Sequence, residues 1–300
     1  MRPLKAAKNT IIYGAVLLLL AVVRLLPLPL VRAAFRLLGA AAARLPIKEN
    51  RIARENLAAC FPGRDEAARE AIRRACWRSI GACAGEAAKL AVSGTKAAPL
   101  CAWAPGAKET LDAALAGGSG LLYVTGHVGN WELMAMFLAE LGYPVHTAAK
   151  ESYDPRLTAL VRDRREARGV HCLWRGDPLM KEKIVGVLLG GGVLGFLIDQ
   201  DTKVPGVFAD FFGRKAWTPS APARIAAKAE LPVCAGFIHR DAGDRHVVSV
   251  RRLDTTVPGG ADPVLHLTAV FNAAIEAEVR ARPDEWVWMH ARWKTRPPAA

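Results

Sequence analysis

Three features of this 300-residue chain predict an α/β fold with a mostly parallel mixed sheet flanked by helices. From residue 121 onward, short apolar runs alternate with longer segments of helical character, the order that builds a largely parallel sheet. The helical segments open on capping or proline signals and several stop at glycine. No internal repeat or low-complexity linker interrupts the alternation. One folded domain over 47–300, behind an N-terminal part over 1–46 of different character, is therefore expected.

The first segment is the least ordinary. Ile11 to Val23 carries no charge and follows Arg2, Lys5 and Lys8. Thirteen residues fall short of the roughly 20 needed to cross a bilayer. Leu25, Leu26, Leu28, Leu30 and Val31 extend the apolar character, while Arg24 interrupts it and Pro27 and Pro29 end the helix. A cleaved signal peptide fits poorly, because the first Ala-x-Ala-like site, Ala40-Ala-Ala42, lies far beyond the run. An uncleaved anchor is expected, with its basic end at the cytoplasmic side. Val31 to Leu45 mixes Arg32, Arg36 and Arg44 with Phe35, Leu37, Leu38 and Leu45. That pattern suits a helix lying on an anionic membrane surface or packed on the domain.

Helices are expected from about 48 to 92, with a break at Pro62-Gly63 and a restart at Asp65. Then come a buried strand Leu121–Thr125, a helix Glu132–Leu141 capped by Asn130, and a strand Val145–Ala149. Asp154-Pro155 opens a helix to Arg168, and Val170–Trp174 is a strand. Asp177-Pro178 opens a helix to Leu189, and Val193–Ile198 is a strand. Thr218-Pro219 caps a helix to Glu230, Val233–Ile238 is a strand, and Val247–Val250 adds an antiparallel one. A helix over Pro263–Arg280 closes the chain.

Composition narrows the partners. Lys and Arg number 41 against 28 Asp and Glu, a formal charge of +13, which calls for an acidic partner such as an anionic lipid or an acidic carrier protein. Aromatic residues are only 7% and do not interleave with basic ones, so nucleic acid is not expected. The six cysteines form no CxxC pair and no metal-ligand spacing, and read as reduced, mostly buried thiols.

Chemistry concentrates in His127-Val-Gly-Asn-Trp-Glu132. On one helix, residues five apart point about 140° apart and cannot cooperate. A strand ending at His127 and a helix starting near Glu132 would instead let the turn fold imidazole and carboxylate together. Such a pair forms a general base whose tautomer is fixed by an acid. The bland alternative is a structural histidine. Its place at the carboxyl end of a strand, where open α/β sheets bind ligands, favours the functional one. Gly190 to Gly195 matches GxGxxG, but a helix precedes it and a strand follows, the reverse of a dinucleotide site. No phosphate loop, HExxH or GxSxG motif occurs, so direct transfer fits better than a covalent enzyme intermediate.

With these blocks in view, the chain resembles the HxxxxD/E glycerolipid and lysophospholipid acyltransferases. More narrowly, it is similar to the late acyltransferases of lipid A biosynthesis and the related mycobacterial phosphatidylinositol mannoside acyltransferases. The resemblance rests on Arg54-Glu-Asn56-Leu, Gly126–Glu132, Leu197-Ile-Asp-Gln-Asp201, Phe211-Phe-Gly213 and Trp288–Pro297. It implies that His127 deprotonates an acceptor hydroxyl, that Glu132 orients and charge-stabilises His127, and that the hydroxyl attacks an acyl thioester. It further implies functional roles for Asp199, for Arg165 (with Arg162, Arg164 and Arg168 as alternatives), for Lys150 near a phosphate and for Arg240. Asn130 completes the set expected around the substrate. Trp288, His290, Trp293 and Arg296 are expected to hold the C-terminus. The donor implied is acyl carrier protein or coenzyme A thioester, and no metal or bound cofactor is implied. The leading acceptor is a lipid A precursor at the cytoplasmic face of the bacterial inner membrane. Another amphiphile, or a non-catalytic membrane-binding role, remains open.

Overall fold

A computed structural model describes residues 3–298; Arg2, one of the basic residues expected at the membrane face, lies outside them. Ten α-helices and nine strands occur among the described residues. The N-terminal part is all helical: α1 (Pro3–Leu25), α2 (Leu28–Ala42), α3 (Lys48–Cys60) and α4 (Glu66–Val92). Pro27, extended at φ −65°, ψ 149°, separates α1 from α2. Asp65 caps α4 by accepting from the Ala68 backbone N–H at 2.7 Å.

The α/β part runs β1 (Cys101–Trp103), α5 (Ala107–Leu115), β2 (Leu121–Thr125), α6 (Trp131–Glu140), β3 (Val145–Ala149), α7 (Pro155–Glu166), β4 (Val170–Trp174), α8 (Met180–Leu189) and β5 (Val193–Leu197). It continues with β6 (Gly206–Phe211), β7 (Arg214–Pro219), α9 (Ala221–Ala226), β8 (Val233–Arg240), β9 (His246–Arg252) and α10 (Pro263–Ala281). One seven-stranded sheet takes the order β1-β9-β8-β2-β5-β3-β4. Its pairs are parallel except β8 with β9.

A parallel sheet must be covered on both faces, which is why β2 is buried at all five residues. Leu122 and Val124 join one core with Phe271 and Ile275 of α10, and Leu121 and Tyr123 join the other with Leu133 and Phe137 of α6. The C-terminal Trp286, Trp288 and Trp293 belong to the first core, as expected of a segment that ties the chain down. Asn56 donates from its amide to the Trp288 and His290 carbonyls, each at 2.9 Å.

The structure corrects two expectations, adds elements not foreseen and decides one alternative. Thr218-Pro219 does not cap a helix. It ends β7, which pairs with β6 as an antiparallel hairpin, and the shorter α9 starts behind Ser220. β1 and α5 were not foreseen. The helix after Asp177-Pro178 begins only at Met180. Finally, of the two placements left open for the Val31–Leu45 segment, α2 packs on the domain with its charges turned inward. Arg32 lies 2.6 Å from Glu86, Arg36 pairs with Asp244, and Leu30, Leu37 and Leu38 point outward.

Candidate active site

Register puts the site together. Thr125 of β2 is paired with Leu197 of β5, and two residues beyond each lie His127 and Asp199. Neighbouring parallel strands run about 4.8 Å apart, so two residues leaving them in step emerge side by side. Asp199 Oδ1 meets His127 Nδ1 at 2.7 Å. Its other oxygen accepts from the His127 backbone N–H and from Trp286 Nε1, each at 2.7 Å. Burial alone would push this carboxyl up, but the His127 imidazole and the three donors outweigh it and hold it down at about 2. A carboxylate can only accept, so Nδ1 carries the proton and Nε2 keeps its lone pair. Trp131 sets the ring's angle from the other side, edge to face at 4.9 Å.

The turn between β2 and α6 is held by two close approaches. At Gly129, φ is +60° and a Cβ would lie 1.9 Å from the Ile238 carbonyl oxygen, so a side chain there is excluded twice over. At Gly126 a Cβ would press on Ile275 and on the Asp199 carboxylate. The Gly129 N–H donates to the Glu285 carbonyl at 2.9 Å. The backbone N–H groups of Trp131 and Glu132, opening α6, have no protein acceptor among the described residues.

His127 and Glu132 line one cavity of about 530 Å³, together with Trp131, Lys150, Leu157, Arg165, Trp174 and Arg175. They do not pair with each other. Glu132 takes both arms of Arg165, with Nε–Oε2 at 3.0 Å, so the orienting role expected of Glu132 falls geometrically to Asp199. Lys150 follows β3 and Arg175 follows β4, and the Arg175 backbone N–H donates to the Ala149 carbonyl at 2.8 Å. Neither cation has an ion-pair partner among the described residues, and Glu132 is the only carboxylate lining the cavity. Desolvation pulls the Arg175 guanidinium below its ordinary range.

Two expected substrate contacts lie elsewhere. Asn130 is buried, accepting from the Leu133 N–H at 3.1 Å and donating to Glu86 at 2.8 Å. It caps α6 and does not line the cavity. Arg240 also meets Glu86, with both terminal nitrogens within 2.8 Å. Glu86 is fully buried on α4 and gathers Arg32 and His246 as well, a charge network behind the site. Burial pushes its carboxyl up, but His246 and Arg240 outweigh it and hold it far down. Trp131, Arg175 and Trp286 were not singled out from sequence. The His127–Asp199 pair depends on β2 lying in register beside β5, which no local sequence signal gives.

The arrangement is an imidazole base, fixed by a buried acid, facing a cavity with surplus positive charge. The chain matches the bacterial lipid A biosynthesis acyltransferase family over residues 4–295 and belongs to that family. It is 28% identical over 193 residues to a phosphatidylinositol mannoside acyltransferase of Mycobacterium tuberculosis, covering 63% of this chain and 59% of that protein. A protein of the same description from Mycolicibacterium smegmatis is 25% identical over 191 residues, covering 62% and 60%. The chain thus spans about three fifths of the length of the curated relatives it matches.

Proposed function

We propose that the protein transfers a fatty acyl chain from a thioester to a hydroxyl of a phosphorylated lipid. The observation that carries this reading is the His127–Asp199 pair, its free Nε2 belonging to a ring that lines the cavity. Nε2 takes the acceptor's hydroxyl proton as the oxygen attacks the thioester carbonyl. Asp199 keeps the tautomer and steadies the imidazolium that forms. The unengaged N–H groups of Trp131 and Glu132 are suited to the developing oxyanion. Collapse expels the thiolate, which receives the proton from His127, leaving an ester and a free thiol.

Lys150 and Arg175, beside the Arg165–Glu132 pair, leave the cavity about two positive charges in excess, which suits a phosphate ester on either substrate. Glu132 acts in this scheme through Arg165, holding its guanidinium against the cavity wall. The acceptor we favour is a lipid A precursor, the donor an acyl carrier protein, and the site of action the cytoplasmic face of the bacterial inner membrane. The relatives' description supports a second acceptor, a phosphatidylinositol mannoside.

Purified protein, an acyl thioester and each candidate acceptor should give a lipid heavier by one acyl chain in mass spectrometry. His127→Ala should lose this while remaining with membranes. Transfer to no lipid, or full transfer by His127→Ala, rejects the reading.

A further inference from the structure

The helix α1 is long and apolar enough to cross a membrane by length and composition. Its packing argues for a different placement. Residues Asn9, Tyr13, Val16, Leu20 and Val23, spaced three or four apart, form one stripe turned towards the rest of the protein, and Asn9 and Val23 are buried. Near the start of the stripe, Arg156 of α7 donates to the Thr10 hydroxyl at 3.3 Å and lies 4.8 Å from the Tyr13 ring centre. Near its end, Lys89 of α4 donates to the Val23 and Arg24 carbonyls at 3.2 and 2.8 Å. Residues 10 and 24 are about 21 Å apart along a helix. One globular domain therefore grips α1 along its length.

Two elements of the domain, α4 and α7, lie beside α1, and α7 is not a membrane element. α7 carries Arg162, Asp163 and Arg164 exposed, and Arg164 shares a groove with Leu17, Leu20 and Arg24. Were α1 to cross the bilayer, these charges would sit at hydrocarbon depth, where charged groups are strongly disfavoured. On its other side α1 presents Ile11, Leu18 and Leu25 at 72%, 68% and 85% exposure, apolar surface that water disfavours. α2 carries an independent sign of the same environment. Its arginines Arg32 and Arg36 face Glu86 and Asp244, and its leucines Leu30, Leu37 and Leu38 face outward. Within α1, Lys8 near the start and Arg24 in the last turn are both exposed, which suits one anionic surface meeting both ends.

We infer that α1 lies lengthwise in a single leaflet, with α2 contributing its outward leucines, so that the protein is attached to one face of the bilayer and does not span it. The partner is the lipid leaflet itself, anionic at its headgroups. The inference is independent of the acyl-transfer reading, since it concerns neither His127 nor the cavity.

Protease-cleavable tags placed before Met1 and after Ala300 test it in sealed, inside-out vesicles of the host's inner membrane. Both tags should be cut to the same extent without detergent. One tag cut and the other protected until detergent is added would overturn the inference. A second measurement needs no tag: bimane attached to cysteine at Ile11, Leu18 or Leu25, quenched by spin labels at known depths in vesicles containing phosphatidylglycerol. Equal depth for all three probes, within about twofold in quenching, is expected. A deep Leu18 probe between shallow Ile11 and Leu25 probes, or a soluble dimer that shields all three from lipid, would contradict it.

Discussion

Asp199 is almost without solvent contact, yet it accepts three hydrogen bonds and carries a charge, a combination that the neighbouring imidazole makes tolerable. Replacing it with Asn keeps the shape, but the amide can donate to Nδ1 and so favour the wrong tautomer. Asp199→Asn should lower kcat by roughly 10²–10⁴-fold in a thioester-release assay. The same group sets an acid limit. Its carboxyl titrates at about 2 instead of 3.8, so its stabilising contribution is complete above 3.8 and lost as pH falls towards 2. That contribution is roughly 2 kcal/mol; urea unfolding midpoints of wild type should fall over this window, and those of Asp199→Asn should fall less. Charge removal at Arg175 should act differently. Arg175→Gln should raise KM for phosphorylated substrates by about tenfold or more with a smaller effect on kcat, the signature of a binding contact. At this scale the residues themselves pointed to His127, and the resemblance added Asp199, Arg165 and Lys150, which the structure places at or beside the same cavity. The sequence also suggested a Glu132–His127 contact from proximity along the chain. Partners on separate strands become visible only once the register is known.

The strand-loop-helix element built on Gly126–Glu132 depends on backbone close approach. Gly129→Ala meets both an unfavourable φ and the Ile238 carbonyl, so it should destabilise by about 2 kcal/mol or more, seen as a lower Tm by calorimetry. Helices α6 and α7 were legible because Asn130 and Asp154-Pro155 announce their starts chemically. The β6–β7 hairpin was not. Its turn places Phe212 and Gly213 at φ 56° and 67°, positions at which Asn-Gly would have been the local signal. Phe212 is kept there by packing against Phe61, Phe211 and Trp288, a tertiary cause with no local trace. The face of α2 was left open between membrane surface and domain for a similar reason, because its arginines are claimed by Glu86 and Asp244, far along the chain. Changing Leu37 and Leu38 together to Gln removes apolar surface worth roughly 2 kcal/mol per leucine when fully buried. The double variant should therefore partition onto vesicles at least tenfold less in a flotation assay, without loss of Tm.

The whole molecule joins two features, a positively charged cavity beside the His127–Asp199 pair and an outward apolar face on α1 and α2; in the proposed function the first takes the activated acyl and phosphate groups and the second meets the lipid. The parallel sheet makes this possible by bringing β2, β3, β4 and β5 to one edge, each ending in a residue of the cavity or of the pair beside it. The alternation of strand and helix signals announced that architecture, whereas the buried network around Glu86, which links α2, α4, β8 and β9, depends on contacts that no local pattern encodes. The account turns on which carboxylate serves the imidazole. The most direct test is kcat and KM against pH for wild type, Asp199→Asn and Glu132→Gln. Asp199→Asn should lose the greater part of kcat and alter the pH profile, while Glu132→Gln should keep the profile's shape and mainly raise KM. A wild-type profile in Asp199→Asn, together with collapse of kcat in Glu132→Gln, would contradict it.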